Sequence, residues 1–140
     1  MRFHRSFFSL VIALVAIGCG SSGPPRAALS GEVTLDGAPV SEGTIAFLPT
    51  ADTKGASTGG AIKDGKYSIS AANGPTYGKY KVQIRWPKKT GKQIEMGSPA
   101  PKGTMIDEVA EAIPPKYNTE TTLDKEVKSS KEVFDFKLDK

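Results

Sequence analysis

Groups able to take up and release a proton near neutrality are scarce in this chain: one histidine, His4, and one cysteine, Cys19, among 140 residues. Beyond Cys19 there is neither imidazole nor thiol. Ser-His-Asp or Cys-His nucleophilic catalysis, His-ligated zinc and two-His iron centres therefore lack their groups there. What remains is carboxylate, aromatic and ammonium chemistry. Asp107 and Glu111 are the candidate pair for a carboxylate-dependent hydrolase, which needs one acid held protonated beside another held ionised. Asp52, Asp64, Asp107, Glu108 and Glu111 supply oxygens of the kind calcium takes, but their spacing follows no calcium-loop pattern, so no metal and no cofactor are expected. Trp86 with Tyr77 and Tyr80 is the candidate ligand-binding set, because amphipathic aromatics stack on sugars and peptides. Against this, Trp86 has the parity of a residue that caps a core. Lys88, Lys89, Lys92 and Lys102 are candidate contacts for anionic headgroups or wall polymers.

The net charge of +4 invites an anionic partner until its sources are located. Arg2 and Arg5 belong to a segment expected to be removed, which reduces nineteen basic residues to seventeen against fifteen acidic ones. No basic stripe interleaved with aromatics is present, so nucleic acid is not an expected partner.

Positions 7–17 are apolar apart from Ser9. Eleven residues fall short of the roughly 20 that a membrane-spanning helix needs, but they suit the apolar region of a secretory signal. Gly18 stands directly before Cys19, with Ala16 three positions before it. This resembles the lipobox of bacterial lipoproteins, although Leu is commoner than Ala at that third position. The resemblance implies cleavage before Cys19, a diacylglyceryl group on its thiol, and a protein held on a membrane without spanning it. Residues 1–18 are then a signal peptide and 19–28 a Gly-, Ser- and Pro-containing tether.

The elements that must position any site lie in residues 29–140. Leu29, Val33 and Leu35 alternate with Ser30, Glu32 and Thr34, the period of a strand with one dry face. Asp36-Gly37 turns the chain, and a second apolar run follows at Ile45–Leu48, giving a β-turn-β opening. Gly59–Ser70 predicts a second hairpin about Asp64-Gly65, with Tyr67 and Ile69 inward. Tyr80, Val82, Ile84 and Trp86 share a face opposite Lys79, Lys81, Gln83 and Arg85, the clearest strand in the chain, ending at Pro87. In residues 87–115, Thr104 and Asp107 resemble a helix start, and Ile106, Val109 and Ile113 recur at helical spacing. The end predicts a closing hairpin about residues 128–131, with Phe134, Phe136 and Leu138 inward. Seven or so short antiparallel strands predict an all-β sandwich.

Gly31-x-Val33, Asp36-Gly37-Ala38-Pro39-Val40, Thr44-Ile45-Ala46-Phe47, Asp64-Gly65-Lys66-Tyr67-Ser68-Ile69 and Gly78-Lys79-Tyr80-Lys81-Val82 together resemble the carboxypeptidase regulatory-like family. The likeness covers residues 29–86 and implies a transthyretin-like, prealbumin-type β-sandwich; residues 113–138 resemble extended forms in small bacterial lipoproteins. Ala61-Ile62 stand where the family often has Thr-Asp. Similar folds include hydroxyisourate hydrolases and intradiol dioxygenases, whose histidines and iron ligands have no counterpart here. The expectation is a non-enzymatic envelope protein, exported and lipid-anchored to a bacterial membrane on its periplasmic or cell-surface side. It would act as a binding or structural module toward envelope polymer or protein. A carbohydrate-binding module built on Trp86 and a carboxylate hydrolase are the alternatives.

Overall fold

The computed structural model describes residues 23–140; Cys19, His4 and the expected signal segment lie outside the described residues. The chain enters β1 (Ala28–Leu35), makes the two-residue β2 (Ala38–Pro39) and continues through β3 (Glu42–Pro49) and β4 (Thr58–Lys63). It then forms β5 (Lys66–Ile69), β6 (Gly78–Arg85), β7 (Pro87–Glu95) and β8 (Met105–Glu111). A single 3₁₀ turn, Pro115–Tyr117, precedes β9 (Asp124–Val127), β10 (Lys131–Val133) and β11 (Phe136–Leu138).

The dry faces are those that alternation predicts. Leu29, Val33 and Leu35 of β1, Tyr67 and Ile69 of β5, and Tyr80, Val82 and Ile84 of β6 are all buried, and Trp86 packs half-buried against the same core. Both Asp-Gly pairs make two-residue loops with positive φ at each position: Asp36 and Gly37 at 49° and 80°, Asp64 and Gly65 at 49° and 75°. That is the primed-turn geometry whose twist matches paired strands. The first hairpin is nonetheless short. Only Thr34–Leu35 pair with Ala38–Pro39, after which β3 leaves β1 and pairs with β4 and β6 instead. Pro39 has no amide to continue the ladder.

The main path runs β10-β1-β5-β4-β3-β6-β9, with β2 and β11 also on β1. Its two outermost strands, β9 and β10, are joined by only three residues, Lys128–Ser130. Laid flat, seven strands would separate those edges by about 29 Å, whereas the link spans at most about 14 Å. The sheet must curl, and its concave side becomes the core. The fold is all-β: a curled, mainly antiparallel sheet.

The end of the chain departs from the predicted hairpin. β9 pairs antiparallel with β6, while β10 and β11 run parallel to β1. Ala28 faces Lys131 and Val33 faces Phe136, one register held across a break at Gly31–Glu32. Alternation fixes which face of a strand is dry but not which neighbour it takes, and the short link delivers β10 to the far edge. At the break, the Glu32 amide donates to Asp135 Oδ1 at 2.8 Å, so a carboxylate stands in for the missing ladder carbonyl. Phe134 N donates to Ser30 O at 2.9 Å, and the Tyr67 hydroxyl donates to Phe134 O at 2.9 Å.

Tyr67 and Phe134 flank Phe47 at centroid distances of 6.2 and 6.5 Å, and Phe136 lies 6.3 Å from Tyr67. Burial pushes the Tyr67 phenol far above its ordinary value of 10.0, and the negative charge of Asp135 adds to the shift. The unfolded chain releases this proton from about pH 10, whereas the folded chain holds it. This contribution to stability is fully present below pH 10 and declines above it by about 1.4 kcal/mol per pH unit. Denaturant melts at pH 9 and pH 11 should show that loss in the wild type and a smaller one in Tyr67→Phe; equal losses would exclude Tyr67 as the source.

Residues 87–111 hold the second correction. No helix forms there; β7 and β8 pair antiparallel as a separate two-stranded ribbon. Ile106 and Val109, three apart on a strand, point to opposite faces, and of the three apolar residues at helical spacing only Ile113 is buried. A short helix needs a buried apolar stripe to hold it, and here there is none.

Candidate functional site

Pro87 ends β6 as expected, but the chain resumes at once as the first strand of the ribbon. Every residue of β7 is exposed, as is all of β8 except half-buried Glu108. Ile94 sits opposite Ile106, and Glu95 opposite Met105, near a tip closed by residues 96–104. A register shift between Lys89 and Gln93 contains Gly91 at φ 83°.

The base of this arm is clamped to the body by one carboxylate. Glu111 Oε1 accepts from Trp86 N at 2.7 Å and from Ile113 N at 3.0 Å, while Ala112 N donates to Trp86 O at 3.0 Å. Ile113 is buried in the core, so the clamp joins the ribbon to a fixed point. Between the arm base, the start of β3 and the end of β4 opens a cleft of about 810 Å³. Trp86, Pro87 and Val109 give it apolar wall; Ser41, Thr44, Glu42, Lys63, Lys88 and Lys89 give it polar groups. Lys88 Nζ stands 4.3 Å from the centroid of the Trp86 ring, a cation–π contact. Lys89 Nζ lies 2.6 Å from Asp107 Oδ2.

Of the aromatic set singled out in the sequence, only Trp86 lines this cleft. Tyr80 is fully buried, its hydroxyl donating to Thr76 O at 2.9 Å. Tyr77 is 39% exposed but precedes β6, whereas Trp86 follows it, so about 30 Å of extended chain separates the two. The three do not converge.

The carboxylates are also dispersed. Hydrogen bonding to Lys89 and its positive charge hold the Asp107 carboxyl below the usual range, opposite to what a general acid requires. Glu111 is the clamp, Glu108 accepts from Thr90 Oγ1 at 2.6 Å, and Asp64 serves its turn. Among the described residues, no three of His, Cys, Asp and Glu gather as metal ligands. Lys92 lies on the exposed arm and Lys102 in its tip loop, apart from the cleft. A second groove, of about 750 Å³, crosses the outer face of β1 and β5 between Glu32, Lys66 and Asp135, and is wide open.

Lys63, Glu42 and Thr44 were not singled out in the sequence. They occupy the wet parity of strands more than 20 residues before Trp86, and the one signal available was that parity. The chain matches no protein-family model, no curated protein and no solved structure.

Proposed function

We propose that this chain is a non-enzymatic binding module, lipid-anchored through Cys19 on the exported side of a bacterial membrane, whose body is a β-sandwich of the transthyretin type. Its target is envelope polymer or protein, met by the β7–β8 arm and the cleft at its base. The observation that carries this reading is the exposed ribbon with an aromatic-walled cleft at its root, on a body whose own strands are paired and packed. The curled sheet and the two Asp-Gly turns support the transthyretin-type comparison.

The chain's polarity gives the arm a direction. Arg26 bridges to Thr76, just before β6 begins, and Arg26 Nη1 donates to Gly74 O at 2.9 Å. The arm leaves from the other end of β6, about 26 Å away. An anchor at Cys19, seven residues before Arg26, puts lipid at the near end and presents the arm outward.

Two measurements test the proposal. Metabolic labelling with a fatty acid should mark the wild type and not Cys19→Ser; equal labelling would remove the anchor. On an array of envelope glycans, Trp86→Ala that folds normally should lose the binding shown by the wild type. The carbohydrate reading is favoured over a protein target by the half-buried indole in the cleft.

A further inference from the structure

We infer that the Trp86 cleft takes one residue of an acidic polysaccharide, with a pyranose ring against the indole and its carboxylate drawn between Lys63 and Lys88. This rests on the binding-module reading above and adds the ligand's class.

The argument starts from charge. The cleft wall carries three ammonium groups, Lys63, Lys88 and Lys89, against one carboxylate, Glu42. Lys89 is taken up by Asp107 at 2.6 Å, whereas among the described residues no carboxylate lies within ion-pair distance of Lys63 or Lys88. Lys63 from β4, whose register partner across the ladder is Glu42, and Lys88 from β7 leave this wall with more positive than negative groups, a receptor for an anion. Lys88 rests over the Trp86 face at 4.3 Å. An arriving carboxylate pairs with that ammonium better than a ring quadrupole does, so Lys88 moves off and uncovers the indole.

The remaining wall suits a sugar. Ser41 and Thr44 hydroxyls and the Glu42 carboxylate can exchange hydrogen bonds with ring hydroxyls, and about 810 Å³ lies within the range of small-ligand sites. A peptide is less well served, because it is commonly held by strand addition to an unpaired edge. Of the strands lining the cleft, β3 and β4 are paired on both sides, and the free edge of β7 begins at Pro87, which has no amide to donate. Nucleic acid would want several stacking rings in a row, and the cleft has one aromatic residue.

Trp86 is the only tryptophan in the chain, so its fluorescence reports this cleft alone. The full chain should be titrated with polygalacturonate, with dextran as a neutral polysaccharide and with polyglutamate as an acidic polymer without sugar rings. Polygalacturonate is expected to change the emission saturably and to bind more weakly as salt rises. The surface double variant Lys63→Gln, Lys88→Gln should lose about tenfold or more in affinity, and Lys137→Gln, remote from the cleft, should lose none. Dextran binding as tightly as polygalacturonate would overturn the role of charge, and polyglutamate binding as tightly would overturn the role of the ring. If polygalacturonate fails while envelope glycans still bind through Trp86, this inference falls and the module reading stands.

Discussion

Phe47→Ala lowers the unfolding free energy by about 4 kcal/mol. The ring is fully buried on β3, between β4 at Thr58 and β6 at Val82, and it is the shared neighbour of Tyr67 and Phe134. Removing it forfeits the transfer energy of the ring and leaves a void among strands whose positions are fixed by their ladders. Domains of this size are stable by only about 5–15 kcal/mol, so the variant should be partly unfolded at modest urea concentrations. Phe47→Leu, which keeps most of the volume, should recover much of the loss. Equilibrium urea unfolding measures both, and a cost below about 1 kcal/mol for Phe47→Ala would mean the ring is not at the centre of the core.

Gly31→Ala should cost about 3 kcal/mol, although it adds one methyl group. A Cβ at this position would stand 2.0 Å from the Phe134 carbonyl oxygen and 2.7 Å from its carbon. Neither can retreat by a rotamer change, since both are backbone held by the Phe134 N to Ser30 O bond and by the Tyr67 hydroxyl. The two parallel segments must part. Amide exchange should therefore quicken across residues 131–138 while β3 and β6 keep their protection. Asp135→Ala, which frees only the Glu32 amide, should cost about 1 kcal/mol. Unchanged exchange in residues 131–138 of Gly31→Ala would refute the close approach.

Strands with one dry face were legible. Leu29, Val33 and Leu35, or Tyr80, Val82 and Ile84, announce their faces because burial on one side enforces a period of two. The Asp-Gly loops were legible because few residue pairs tolerate positive φ twice. The arm was not, because a ribbon wet on both sides has no period to display, and its scattered Ile106, Val109 and Ile113 imitate a helix instead. Partner choice was not legible either: nothing local to Phe134–Leu138 says that β1 lies beside it, in parallel. The same holds for the cleft. Trp86 stood out by type, and Tyr80 was read as inward by its parity, but Lys63 and Glu42 come to the same cleft through the pairing of β4, β3 and β6, which no local signal announces.

The parallel pairing of the first strand with the last has a consequence for timing. Glu32 and Asp135 are 103 positions apart, and so are the other partners across that junction. At ribosomal speeds, roughly 5 to 20 s pass between the emergence of Ala28 and that of Lys131. Throughout that interval β1 lacks one neighbour, and closing so long a loop is the slowest kind of contact to make. The seam between the two strands therefore shuts late, and until residues 131–138 arrive that side of the curled sheet has nothing to close against.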